Sequence, residues 1–460
     1  MINSLEDFQN VFFIGIAGAG MSALAQYLKG IDKSVSGSDR YFTAVNSNET
    51  KNKLEAEGII CFAQNGEGIN ASTQLVVVST AIEDTVVEVQ KAKQLSIPII
   101  KRSELLALIS QSKKTIAVGG TSGKSTTVAM LFEILQYAGL QPGLISGAGL
   151  TRLIKQNKIG NANVGKGDWL IIEADESDGS IVQYKPEIGI LLNVDKDHKD
   201  LPELMQLFQQ FKNNSKTFIV NRGNKFAATL SQNTQHDFSS DENNNAGFVM
   251  EDFRQNGFRI LFKIKQTQFT LNALGKHNAE NALAAIAAAN YIGVDIKICA
   301  EALQHYEGIY RRHQIIGNKH GVVLIDDYAH NPAKCAASIK ACQPVAKKLI
   351  AWFQPHGYAP TKFLREDFVK EIAEVLRPQD EIWMSEIFYA GGTTRKDISA
   401  NDLINDIKSL HKNAFFVEQR NEFAKLVKKH LTGDCVLLLM GARDPSLEAF
   451  AQFVWATINC

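Results

Sequence analysis

Between an apolar run from Lys113 to Val118 and an amphipathic stretch from Val128 to Ala138 lies the segment Gly119-Gly120-Thr121-Ser122-Gly123-Lys124-Ser125-Thr126-Thr127. The run reads as a buried strand, and the stretch carries apolar residues at helical spacing. A glycine-rich turn joining such a strand to such a helix lets backbone N–H groups converge on phosphate oxygens. The new helix adds its partly positive N-terminus. Lys124 then reaches the β- and γ-phosphates, and Ser125 or Thr126 holds Mg²⁺. The strict motif puts four residues between its first Gly and the Gly-Lys pair, whereas Gly119 leaves three and Val118 stands at the strict Gly position. A bare helix cap would account for the polar residues at the turn but not for the strand and helix around it.

A second glycine turn lies near the N-terminus. Asn10 to Ile14 has the pattern of a strand, Gly15-Ile16-Ala17-Gly18-Ala19-Gly20-Met21-Ser22 follows, and a helical pattern runs on to Leu28. After a further strand at Ser34 to Ser36, Asp39 arrives 19 positions beyond Gly20. This is similar to a dinucleotide fingerprint, in which glycines allow close phosphate approach and a carboxylate meets a ribose hydroxyl, although the glycine order here is Gly-x-x-Gly-x-Gly. Two phosphate-type turns imply two phosphorylated ligands, which favours a transferase or ligase over a simple dehydrogenase.

The chain has 460 residues, too many for one ordinary core, and about three domains are expected. Lys plus Arg equals Asp plus Glu at 49 each, so no net basic field recruits nucleic acid or an anionic membrane. The polar, acidic stretch from Met1 to Asn10 is not a secretory signal, and no run reaches the ~18 to 20 apolar residues of a membrane span. A cytoplasmic protein, monomeric or weakly homodimeric, is the expectation. The six cysteines lack metal-ligand or disulfide spacing and read as thiols in a reducing compartment.

Strand-like and helical patterns alternate along the chain, which points to α/β layers with parallel sheets. The expected division is 1–108, 109–306 and 307–460. Strands are expected at Leu75 to Thr80 and Ile97 to Ile100 in the first block, and at Asp168 to Ile172 and Ile188 to Leu192 in the second. Antiparallel hairpins are expected within Phe248 to Phe269. In the third block, strands are expected at Gly321 to Ile325, Lys348 to Phe353, Glu381 to Ser385 and Cys435 to Met440.

The chemistry of the middle block is concentrated after two strands, in Glu173-Ala174-Asp175-Glu176-Ser177-Asp178 and in Asn193-Val194-Asp195-Lys196-Asp197-His198. Ligands of open α/β sheets bind at the carboxyl ends of strands, so both runs should face the crevice of the phosphate loop. Carboxylates and a neutral imidazole there suit Mg²⁺ or Mn²⁺. Gly275-Lys276-His277-Asn278-Ala279-Glu280-Asn281 opens an alanine-rich helix whose polar side chains read a base or cap the helix. Asp326-Asp327-Tyr328-Ala329-His330-Asn331-Pro332 again gathers carboxylates, an aromatic ring and an imidazole after a strand.

Taken in order, these segments, with Arg311-Arg312 and Phe353-Gln354-Pro355-His356, resemble the Mur ligases, the ATP-dependent amide-forming enzymes of peptidoglycan precursor synthesis. The likeness is greatest to the branch that joins L-alanine to UDP-N-acetylmuramate, and that family's shorter phosphate loop accounts for Val118. The resemblance implies a Rossmann-like N-terminal domain for the UDP-sugar, a central phosphate-loop domain with a mostly parallel sheet for ATP, and a Rossmann-like C-terminal domain for the amino substrate. It implies that ATP phosphorylates a carboxylate, that an amine attacks the acyl phosphate, and that amide, ADP and phosphate result. Gly15, Gly18, Ala19, Gly20, Met21, Ser22, Asp39, Ser79 and Thr80 would meet the UDP-sugar. Gly120, Thr121, Ser122, Gly123, Lys124, Ser125 and Thr126 would wrap the ATP phosphates, with His277, Asn278 and Asn281 at adenine. Arg312 and Asp327 would contact phosphate and ribose or metal, His330 and Asn331 would lie near the reacting groups, and Ser125 or Thr126 with Glu173 and His198 would hold the metal. Lys124, Glu173, His198, Arg312 and His330 form the catalytic set by this resemblance, and His356 and Lys362 the amino-substrate set.

Three positions depart from that branch. Ser122 stands where it has His, Ser125 where it has Thr, and Gly357-Tyr358-Ala359-Pro360-Thr361-Lys362 where it has Arg side chains near the amino-acid carboxylate. Lys362 is then the substitute, though a poorer bidentate partner than Arg. The alternatives are a ligase that returns recycled murein tripeptide to UDP-N-acetylmuramate, a nucleotide-dependent oxidoreductase built on the Gly15 turn, and a nucleotide-binding regulator without catalysis. An oxidoreductase leaves Lys124, Glu173 and His198 unexplained.

Overall fold

The computed structural model describes residues 2–43, 48–195, 199–389 and 395–459. A first, all-parallel sheet contains β1 (Asn10–Ile14), β2 (Ser34–Asp39), β3 (Ile60–Ala63), β4 (Leu75–Val78) and β5 (Ile99–Lys101), in the order β3-β2-β1-β4-β5. That is the strand order of a dinucleotide-binding sheet. Parallel neighbours need long crossovers, which the helices Ala19–Gly30, Glu49–Ala56 and Val87–Gln94 provide. Val11, Phe12, Phe13 and Ile14 are all buried, the unbroken apolar pattern of a strand covered on both faces.

The second sheet contains β6 (Lys114–Gly119), β7 (Gly143–Ile145), β8 (Ala162–Asn163), β9 (Trp169–Glu173), β10 (Ile188–Leu191) and β11 (Thr217–Val220). Its order is β11-β10-β6-β9-β7-β8, parallel except for the edge strand β8. β10, β6 and β9 are adjacent, so the phosphate loop and both acidic runs leave the same edge of the sheet.

Position 108, where the first boundary is expected, lies inside the helix Arg102–Gln111. Its Leu105, Leu106 and Ile109 share one core with Phe13 and Leu75 of the first sheet and Ala117 and Leu170 of the second. Polar contacts reinforce that junction. Asn161 donates to the Ala19 carbonyl at 2.7 Å and to Ser22 Oγ at 3.0 Å, and Gln26 Nε2 donates to Asn161 Oδ1 at 2.8 Å. Both sheets therefore belong to one compact unit, residues 1–253, 262–271 and 277–309.

The short strands β12 (Phe238–Ser239) and β13 (Phe248–Val249) pair in parallel, and β14 (Glu251–Asn256), β15 (Arg259–Ile264) and β16 (Thr267–Leu271) form a three-stranded sheet. The helix Lys276–Tyr291 is rich in alanine because it is buried almost all round, with every residue from 281 to 289 buried.

The second unit comprises 254–261, 272–276 and 310–460, so its main boundary falls at Ile309 and Tyr310. Its sheet holds β17 (Gln314–Lys319), β18 (Val322–Asp327), β19 (Lys348–Gln354), β20 (Glu381–Ser385), β21 (Asn413–Val417) and β22 (Cys435–Gly441). The order is β17-β18-β22-β19-β20-β21, with only β17 antiparallel to its neighbour. Among the described residues no helix is long and apolar enough to cross a membrane.

Candidate active site

β6 ends at Gly119, and the next four residues turn into the helix Lys124–Tyr137. Gly123 has φ +87°, and a Cβ there would sit 2.3 Å from Asn281 Oδ1, so both conformation and space require glycine. Asn193, just beyond β10, braces the loop from beneath. Its Oδ1 accepts from Thr121 Oγ1 at 2.8 Å and from the Ser122 N–H at 2.9 Å, and its Nδ2 donates to the Ser122 carbonyl at 3.1 Å. Thr127 Oγ1 donates to Asn281 Oδ1 at 3.4 Å, which ties the first turn of the helix to the alanine-rich helix.

Lys124 folds back over the loop. Its Nζ donates to the Gly120 carbonyl at 2.8 Å and to Glu176 Oε2 at 2.7 Å, and lies 3.5 Å from Asp175 Oδ1. Burial opposes the charge, but Glu176, Asp175 and Glu173 outweigh it and hold the Lys124 pKa above the ordinary lysine value. Burial likewise raises the Asp175 pKa, and Lys124 with the Ser177 N–H more than reverses this. The ammonium is thus kept charged within a loop of backbone N–H groups, the arrangement that neutralises a transferring phosphoryl group.

Glu173 closes β9. Its Oε1 accepts from Ser146 Oγ at 2.6 Å and from the Gly147 N–H at 2.9 Å, which orients the carboxylate. His198 lies outside the described residues. Among the described residues no three His, Cys, Asp or Glu side chains form a metal cluster. Mg²⁺ at phosphates needs no such cage, because it keeps several waters and takes one or two carboxylates. Ser125 and Thr126 stand half-buried in the first helical turn, the position of a hydroxyl ligand in such loops. Of the three residues expected at adenine, His277 is exposed, whereas Asn278 and Asn281 are buried and turned toward each other.

The N-terminal turn is built similarly. Gly15 has φ +80°, and its N–H and that of Ile16 donate to the Ser38 carbonyl at 2.8 and 3.0 Å. Asp39 is buried, and its two oxygens accept from the Ala17 and Tyr41 N–H groups, each at 3.0 Å. The carboxylate braces the turn that it was expected to complement, while a carboxylate's remaining lone pairs still suit a hydroxyl. Gly18 caps the helix Ala19–Gly30, and a Cβ on Gly20 would lie 3.0 Å from Arg102 Cδ. Met21 and Ser22 are buried in the junction between the sheets. Ser79 and Thr80 follow β4, next to β1, where Ile82 packs on Gly15.

In the second unit Asp327 closes β18 and accepts from the His313 and Ala329 N–H groups, both at 2.8 Å. Its burial opposes ionisation, yet His313, Arg312 and these N–H groups keep its pKa below the ordinary carboxylate value. Arg312 is exposed, with its guanidinium 5.4 Å from the Tyr328 ring centroid. His330 Nδ1 lies 2.9 Å from the Tyr328 carbonyl, which can only accept, so that nitrogen carries the proton and Nε2 keeps its lone pair. The His356 ring is 5.7 Å away, and its Nδ1 is buried without a hydrogen-bond partner among the described residues. Lys362 points elsewhere, into an ion pair with Asp397 at 2.6 Å.

Burial brings the His330 pKa down from 6.5 to about 4. Between those values the unfolded chain binds a proton that the folded chain does not. The stability supplied by neutral His330 is therefore complete above pH 6.5 and is lost as the pH falls toward 4. Unfolding temperatures of wild type and His330→Phe across this window check it, and the wild-type curve should fall more steeply. Parallel curves would refute it.

Asn193, Asp175 and Glu176 were not singled out one by one from sequence as site residues, although all three lie in the strand-end runs. Their roles depend on which loop packs against which, and only the order of β10, β6 and β9 supplies that.

A parallel-sheet core with a lysine-bearing phosphate loop, strand-end carboxylates and a second glycine turn defines a nucleotide-dependent α/β enzyme. Three family models match in succession: the Mur ligase family catalytic domain over 10–114, the Mur ligase middle domain over 118–289 and the Mur ligase glutamate ligase domain over 311–443. The chain belongs to the Mur ligase family. It is 34% identical over 450 residues to the UDP-N-acetylmuramate--L-alanine ligase of Carboxydothermus hydrogenoformans, covering 94% of this chain and 93% of that one. The ligase of the same name from Aquifex aeolicus is 34% identical over 450 residues, covering 94% and 95%. The crystal structure of UDP-N-acetylmuramate-alanine ligase MurC from Thermotoga maritima superimposes with a TM-score of 0.81 at 25% identity, covering 97% and 98% of the two chains. A murein peptide ligase from Psychrobacter arcticus has the same fold, with a TM-score of 0.68 at 20% identity and 98% of each chain covered.

Proposed function

We propose that this chain joins L-alanine to the carboxylate of UDP-N-acetylmuramate, with ATP converted to ADP and phosphate. The observation that carries this reading is the end-to-end likeness to ligases named for that reaction, in a chain whose Lys124 is held charged inside a phosphate loop. Lys124 and the loop N–H groups bind the ATP phosphates and offset charge as the γ-phosphoryl group moves to the sugar-linked carboxylate. Ser125, Thr126 and Glu173 have the hydroxyl and carboxylate chemistry to hold Mg²⁺, which would supply further neutralisation of phosphate charge. The Gly15 to Gly20 turn and the helix it opens face the UDP phosphates. Residues after β18 and β19, among them His330 and His356, serve the amine and its attack on the acyl phosphate. Positioning and electrostatic stabilisation do most of the work in such a site.

Phosphate release from ATP and UDP-N-acetylmuramate, measured against single amino acids and the murein tripeptide, tests this reading. L-Alanine should support release at least about tenfold above other amino acids, a ratio worth about 1.4 kcal/mol. Release with the tripeptide alone would instead identify a peptide-recycling ligase. A nicotinamide absorbance change without phosphate release would identify an oxidoreductase.

A further inference from the structure

We propose that Arg443, just beyond β22, binds the free carboxylate of the amino substrate. The proposal rests on the ligase reading above and names the cation for which the branch's arginines are missing. β19 and β22 are parallel neighbours with Gln354 opposite Gly441, so the segments bearing His356 and Arg443 leave the sheet side by side. β18 flanks β22 on the other side, with Asp327 opposite Met440, and brings His330 to the same edge. Ligands of parallel α/β sheets bind at this carboxyl edge.

Three observations single out Arg443 there. Its φ is +66°, a left-handed conformation that disfavours any side chain, so the turn holds an arginine where glycine would be easier. The carboxylate next in sequence, Asp444, is already engaged by Arg420 at 2.5 Å and by the Ser446 N–H at 2.9 Å. Arg443 itself is exposed and has no hydrogen bond or ion pair with any described residue. Beside it His356 presents a buried Nδ1 without a hydrogen-bond partner among the described residues. Burial and the Arg443 charge together lower the His356 pKa, so the imidazole stays neutral next to an incoming amine. Lys362, the cation expected from sequence, is mostly exposed and paired with Asp397. A guanidinium also matches a carboxylate in two parallel hydrogen bonds, which an ammonium does not.

The test compares L-alanine with L-alaninamide, which lacks the carboxylate, on wild type, Arg443→Gly and Lys362→Ala. Glycine suits φ +66°, so Arg443→Gly should keep or raise the unfolding temperature. Wild type should show a KM for L-alaninamide about tenfold or more above that for L-alanine, the scale of a charge-assisted hydrogen bond. Arg443→Gly should raise the L-alanine KM by about the same factor, treat the two amines alike, and leave the KM values for ATP and UDP-N-acetylmuramate within about twofold. The proposal is overturned if wild type does not distinguish the amines, if Arg443→Gly still does, or if Lys362→Ala alone abolishes the distinction. Absence of phosphate release from wild type with L-alanine would overturn the ligase reading itself, and that measurement comes before any variant.

Discussion

Lys124→Ala lowers the rate of phosphate release at saturating ATP by about a thousandfold or more. Groups that offset charge on a transferring phosphoryl contribute on that scale. The geometry strengthens the expectation, because Lys124 is the cation that the Gly120 carbonyl, Glu176 and Asp175 jointly hold at the loop. Its removal leaves those carboxylates facing the nucleotide phosphates with no compensating charge. The same variant also leaves Glu176 buried without its partner, so its unfolding temperature should fall. Lys124→Arg separates the two effects, since it keeps the charge but not the compact ammonium, and should recover more stability than turnover. Turnover within about tenfold of wild type in a folded Lys124→Ala protein would remove Lys124 from the chemistry.

Arg311→Ala destabilises the second unit by about 3 to 5 kcal/mol, the cost of stranding one partner of a buried ion pair. Arg311 Nε donates to Asp326 Oδ2 at 2.7 Å, and Nη2 donates to Asp326 Oδ1 at 3.2 Å and to the Gly441 carbonyl at 3.0 Å. Both side chains are buried, and the Arg311 carbonyl accepts from the Tyr328 N–H at 2.8 Å. One guanidinium thereby ties the ends of β18 and β22, the strands that present His330 and Arg443. Urea denaturation followed by tryptophan fluorescence reads the loss, since Trp352, Trp383 and Trp455 all pack within this unit. Arg311→Ala combined with Asp326→Asn should cost less than the sum of the single changes. A loss below about 1 kcal/mol in Arg311→Ala would mean that the pair contributes no more than an exposed one.

Much of the fold was legible because its central strands carry their own signal. β1, β4, β6, β9, β10, β18, β19, β20 and β22 are largely apolar runs, buried along most of their length and followed by glycine, polar or charged residues. The strands that escaped notice lie toward sheet edges. β17, β21 and β11 are edge strands, and β7 and β8 have three and two residues, so packing on one side or shortness blurs their patterning.

The glycine turns at Gly15 and Gly120 to Gly123, the lysine that follows and Glu173 at the end of β9 were legible from sequence alone. Each depends on neighbours a few residues away, where positive φ and strand-to-helix geometry restrict the choice of residue. Partnership was decided by tertiary structure. Asp39 and Asp327, read from sequence as ligand carboxylates, each brace their own loops through two backbone N–H groups. Asn193 supports a phosphate loop about 70 residues away in the chain, and Arg443 stands beside His356 only because β22 inserts between β18 and β19. Such pairings arise from strand order, a non-local property set by how the helices and strands bury their apolar faces against one another.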